Sequence, residues 1–103
     1  MKPPELGFDA VLEDCVDAQA MAAKFPQMYS APSAEDLAGL IEGDAIKVRR
    51  NNEHFWLRII RIRGEHLLAT LQGTPVGEGN EGLRRGMRCA LRKAHICHVV
   101  RLQ

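Results

Sequence analysis

The run Phe55-Trp56-Leu57-Arg58-Ile59-Ile60-Arg61-Ile62-Arg63 begins with a period of two and then slips by one residue. Phe55, Leu57 and Ile59 share one face of a strand, while Ile60 and Ile62 continue the apolar set out of phase. Side chains alternate strictly across a strand, so the slip demands a bulge or a sharp bend. A long strand bent in its middle lets one strand serve two halves of a small barrel. The expectation for the C-terminal part of the chain is therefore strongly curled antiparallel β structure.

The neighbouring segments extend that reading. Ile46 and Val48 alternate with Lys47 and Arg49, which predicts a half-buried strand ahead of a turn at Arg50-Asn51-Asn52-Glu53. Gly64-Glu65 suits a hairpin turn, and Leu67 to Leu71 returns. The stretch 72–82, QGTPVGEGNEG, holds four glycines and a proline and reads as a flexible hairpin connection. Met87, Cys89 and Leu91 alternate with Arg88 and Arg92 in a fourth strand. Lys93-Ala94-His95 is long enough for one helical turn, and Ile96 to Leu102 forms the last strand.

The N-terminal part has a different rhythm. Residues 1–7 carry two prolines and a glycine and read as a loose arm. Phe8, Val11, Leu12, Cys15, Ala18, Ala22 and Phe25 follow spacings of three and four, which predicts a helix from Asp9 to Lys24 ended by Pro26. Ser33-Ala34-Glu35-Asp36 is a capping-box pattern that opens a short helix from Ala34 to Ile41. The expected class is α+β in a single domain, 1–103. A helical segment, 8–42, precedes a five-stranded antiparallel SH3-like bent barrel over 43–103, with the first helix covering an open face or edge.

The order of motifs resembles a known family. Gly43-Asp44-Ala45-Ile46-Lys47-Val48 opens a strand, Glu53-x-Phe55-Trp56-Leu57 follows, and then come Gly64, Thr74-Pro75, Gly86 and His95-Ile96. This resembles the bacterial YegJ-like family of domains of unknown function over residues 25–103. The resemblance implies a small SH3-like barrel preceded by helical residues, and no established activity. The chain departs from the family after Leu71, where Gly73-Thr74-Pro75 and a glycine-rich insertion stand in place of Asn-Asp-Pro.

Composition is that of an ordinary globular protein, 46% hydrophobic and 26% charged, with no apolar run approaching a membrane span and no secretory pattern at Met1-Lys2-Pro3-Pro4. A cytoplasmic location with three reduced cysteines, Cys15, Cys89 and Cys97, is expected. Net charge is only +1, but it is segregated. Residues 1–44 carry two basic and nine acidic side chains, and residues 45–103 carry twelve basic and four acidic. The simplest account is an acidic segment folded back onto a basic one.

Candidate chemistry is sparse. Cys89, His95, Cys97 and His98 include zinc-type ligands, but adjacent strand residues point to opposite faces and no C-x-x-C pair is present. No metal and no cofactor are expected, and the same geometry argues against a Cys97–His98 nucleophile. His95 reads as a cap of the turn before the last strand. The glycine-rich loop lacks the Gly-Lys-Ser/Thr ending of a phosphate loop and carries Glu78 and Glu81; if it takes part in binding, it closes over a partner.

The remaining feature is a basic outward phase. Lys47, Arg49, Arg58, Arg88, Arg92 and Arg101 fall on it, and Trp56 shares it with Arg58. An aromatic among arginines can stack a base or hold an extended peptide, although the chain has only five Phe, Trp and Tyr residues. The sequence thus favours a non-enzymatic binding module that uses Trp56, Arg58, Lys47, Arg49 and Arg88, with Thr74 and Pro75 in the loop, for a nucleic acid or a protein. The alternative is a structural protein, a homodimer, whose acidic helix packs on the basic barrel. An enzyme of unknown class ranks third, and no membrane partner is expected.

Overall fold

A computed structural model describes residues 7–101. The loose arm expected for 1–7 lies, apart from Gly7, outside the described residues, as does Leu102 of the last strand. The elements in chain order are β1 (Ala10–Val11), α1 (Ala18–Lys24), α2 (Ala34–Ala38), β2 (Ala45–Arg50), β3 (Glu53–Arg63), β4 (His66–Leu71), β5 (Arg88–Arg92), a 3₁₀ turn (Lys93–His95) and β6 (His98–Val100). The strands form one sheet in the order β1-β5-β4-β3-β2-β6.

The β2–β3 hairpin turns through Asn51 and Asn52, both at positive φ of 52° and 64°. Asparagine tolerates that region better than most residues, and two such residues match the right-handed twist of the flanking strands. The phase slip is a real irregularity. The β3–β4 register jumps between Ile59 and Arg61, leaving Ile60 as the extra residue. Ahead of it Leu57 and Ile59 point inward, and beyond it Ile62 packs against the core.

The core lies on the concave face of this bent sheet. Ile46, Val48, Leu57, Ile59, Ala69, Leu71, Cys89 and Leu91 form its floor. Leu12, Cys15, Leu40, Leu83 and Ile96, from the connecting segments, cover it. Each fully buried Leu or Ile contributes about 1.5–3 kcal/mol relative to exposure, so this cluster outweighs the short helices in holding the fold.

Three expectations are corrected. The sheet has six strands, is mixed and is not closed, so it is not a five-stranded antiparallel SH3-like barrel. The sixth strand, β1, pairs in parallel with β5, and β1 and β6 are the free edges. The space between β5 and β2 is crossed by a strap instead of a strand pair. Leu12 N–H donates to Ala90 C=O at 2.8 Å, and Val16 N–H donates to Arg49 C=O at 2.8 Å.

The helix expected from Asp9 to Lys24 is the second correction, because helix begins only at Ala18. The edge of β5 offers backbone partners that a helix here would leave unpaired. Asp9 N–H donates to Arg88 C=O at 2.7 Å, and the Asp9 carboxylate accepts from Arg88 N–H at 2.8 Å. Leu12 and Cys15 are buried as the apolar stripe required, but Val11 is exposed. The helix cap is Asp17, which accepts from Ala20 N–H at 2.9 Å. The second helix is also shorter than expected, ending at Ala38, and its Ser33–Asp36 capping box is present.

Candidate functional site

Pairing across β2, β3 and β6 builds the outward face rung by rung. Lys47 stands opposite Trp56 on β3 and opposite His98 on β6. Arg49 stands opposite His54, and Arg58 is flanked by Ala45 and Thr70. Thr70 in turn faces Arg88 on β5. The outward phase therefore brings Lys47, Arg49, Trp56, Arg58 and Arg88 onto one side of the sheet, with two histidines among them.

The Trp56 and His98 rings lean toward each other across β2. Trp56 and His98 lie two strands apart, which is roughly 10 Å at the usual strand spacing. Their ring centroids are only 6.1 Å apart, edge to face. The Lys47 ammonium sits 5.6 Å from the centre of the indole, within cation–π range. Trp56 is 36% exposed, so a large aromatic side chain remains partly accessible to solvent.

Beside this rung lies a cleft of about 360 Å³. Lys47, Arg49, His54 and His98 form its sheet wall, and Tyr29 and Ser30 of the connector after α1 stand in the opposite wall. Partial desolvation, with Lys47 and Arg49 nearby, holds the largely exposed His54 below the ordinary histidine range. Among the described residues no carboxylate lines the cleft, and Asp17 lies in the adjoining depression beside Arg49. Arg49 donates to the neutral Asn52 Oδ1 at 3.1 Å and forms no ion pair among the described residues.

The N-terminal segment borders the Lys47 and Arg49 end of this face through Val16, Ala18, Met28 and Tyr29, with Asp17 beside Arg49. Among the described residues there is one ion pair, Arg50 Nε to Asp14 Oδ1 at 2.8 Å. It draws the Asp14 carboxyl below its usual value, chiefly through that hydrogen bond. Helix α1 carries no acidic residue and packs on the 3₁₀ turn.

Thr74 and Pro75 do not join the rungs. Pro75 is buried, and the Thr74 hydroxyl accepts from Arg85 N–H at 3.1 Å. The loop that contains them is clamped to the β2–β3 hairpin, not free as expected. Glu53 accepts from Val76 N–H at 2.9 Å, Gly77 N–H at 2.7 Å and Asn80 Nδ2 at 2.8 Å. These donors, Val76 N–H foremost, hold the Glu53 carboxyl below its ordinary range. Buried Asn80 also donates to Arg50 C=O at 3.0 Å and accepts from Arg50 Nη1 at 2.8 Å.

The other candidates resolve into structural roles. No group of three or more His, Cys, Asp or Glu residues is placed to hold a metal ion among the described residues. His95 is buried, and its Nδ1 accepts from Arg92 N–H at 3.2 Å, the capping role expected of it. All three cysteines are free thiols.

The chain matches no family model, no curated protein and no solved structure.

Sequence reasoning missed His54 and Tyr29, and it weighed His98 only as a ligand or base. His54 was legible, because it shares the alternation of Trp56 and Arg58. Tyr29 and Ser30 carried no signal, since only the path of the connector places them against β2.

Proposed function

We propose that this protein is a non-enzymatic binding module that takes single-stranded nucleic acid on the outward face of β2, β3 and β6. The observation that carries the reading is the half-exposed Trp56 framed by Lys47 and His98, with Arg49 and Arg58 on neighbouring rungs. A base stacks on any aromatic face without sequence preference, and flanking cations track the phosphates. A cleft lining with Lys47 and Arg49 and, among the described residues, no carboxylate favours an anionic ligand over a basic or neutral peptide.

Fluorescence anisotropy with labelled single-stranded DNA and RNA tests it. Affinity is expected to fall steeply between 50 and 200 mM salt, as counterion release dictates for roughly three or four phosphate contacts. Trp56→Ala and Arg58→Ala each weaken binding about tenfold, within the range of one stacked base or one charged contact. Salt-independent binding, or binding that both variants leave unchanged, contradicts the proposal. A protein partner captured through Trp56 with little salt dependence would move the function to the peptide class.

A further inference from the structure

We infer that the cleft beside Trp56 receives a terminal phosphate, so that the module grips the phosphorylated end of a strand and not its interior. This rests on the nucleic-acid reading above and adds to it which part of the strand is recognised.

The cleft and the stacking platform share residues. Lys47 and His98 line the cleft, and the same two side chains frame the Trp56 ring. A base on Trp56 therefore has its own phosphate within reach of the cleft mouth. Inside, Lys47 and Arg49 are two residues apart on one strand face, about 7 Å along the strand, and their long side chains can converge on one group. Lys47 offers three donors, and Arg49 keeps donors beyond the one given to Asn52. His54, opposite Arg49, adds a ring nitrogen.

The shape favours an end over a passing strand. Two buried residues, Ala18 and His95, lie at the deep side of the cleft, and the connector with Tyr29 and Ser30 forms a wall against the sheet. A volume of about 360 Å³ falls at the lower end of small-ligand pockets, enough for a phosphate and part of its sugar. Charge favours the end as well. A terminal phosphate carries about −1.5 to −2 near pH 7, against −1 for each internal phosphodiester. Lys47 and Arg49, in a cleft lining that holds no carboxylate among the described residues, discriminate in favour of the higher charge.

The experiment compares one labelled decamer in three forms, with a 5′-phosphate, with a 3′-phosphate and with hydroxyls at both ends, on the full chain. One phosphorylated form is expected to bind about tenfold tighter than the hydroxyl form, the worth of one charge-assisted hydrogen bond. In Arg49→Gln, the ratio between that phosphorylated strand and the hydroxyl strand falls to near one. His54→Gln, at an exposed position, reads the same ratio should Arg49→Gln not fold. Equal binding of all three forms by the wild-type chain overturns the inference and leaves the face as a general single-strand binder. No binding of any form overturns the nucleic-acid reading itself. A ratio that survives both variants shows that the phosphate sits elsewhere and also overturns the inference.

Discussion

The Lys47 ammonium stands 5.6 Å from the centre of the Trp56 ring, directly across the β2–β3 ladder. The pair is held from the far side by His98, whose ring meets the indole edge to face. Three strands thus converge on the chain's only tryptophan.

That arrangement makes Trp56 its own reporter. Binding of a single strand is expected to quench the intrinsic tryptophan fluorescence in proportion to occupancy. Lys47→Met removes the cation from the ring and shifts the emission of the free protein. Its effect on stability stays within about 1 kcal/mol, the scale of one exposed cation–π contact. Binding without any change in emission places the ligand away from Trp56.

The clamped loop predicts a stability effect far from the basic face. Asn80→Ala leaves Arg50 C=O and part of Glu53 without their partners, in a place where Asn80 is fully buried. A loss of about 1–3 kcal/mol in urea unfolding follows from removing the buried amide and orphaning the Arg50 carbonyl. Glu53 adds an acid dependence. Its folded pKa lies below the ordinary 4.5, so its contribution is present above that value and is lost as pH falls through the folded pKa. Glu53→Gln flattens that acid limb, and an unchanged limb would show that the clamp does not depend on the carboxylate.

His95 predicts a second pH effect, at higher pH. Burial first, and then the charge of Arg92, hold its pKa below 6.5, against the opposing pull of Asp17, Glu13 and Asp14. The unfolded chain therefore takes the proton first on acidification. Stability is full above pH 6.5 and declines as pH falls from there toward the folded pKa. His95→Asn keeps an acceptor for Arg92 N–H but does not titrate. The drop in urea midpoint between about pH 7.5 and 5.5 is expected to shrink in this variant, since the ordinary histidine midpoint lies between those values. An identical drop in both proteins would assign it to other groups.

The thiols are expected to be inert in the folded protein. Burial pushes Cys15 up to about 12 and Cys89 up to about 11. Burial also raises Cys97, whose Sγ donates to Lys47 C=O at 3.1 Å. A disulfide reagent at pH 8 should label the native chain slowly and all three cysteines at once in denaturant, because the thiolate is the reacting species. Rapid labelling of Cys15 or Cys89 without denaturant would mean that the core opens at that end.

Local pattern was enough wherever neighbours along the chain set the outcome. The alternation from Ala45 to Arg50, the slip at Ile60, the Asn51-Asn52 turn, the Ser33–Asp36 capping box and the His95 cap were all legible in the order of residues. So was the outward row of Lys47, Arg49, Trp56 and Arg58, since period two assigns faces without knowing what lies beyond them. Residues 9–16 were misread, because spacings of three and four describe buried positions without naming the backbone that buries them. The open edge of β5 supplied carbonyl and amide partners there, and a parallel strand and strap replaced two turns of helix. The sheet stayed open for a related reason: its two edges lie on β1 and β6, and which strands become edges is decided by long-range pairing. The cleft belongs to the same class, since only the folded path of the connector sets Tyr29 and Ser30 against the basic rungs of β2.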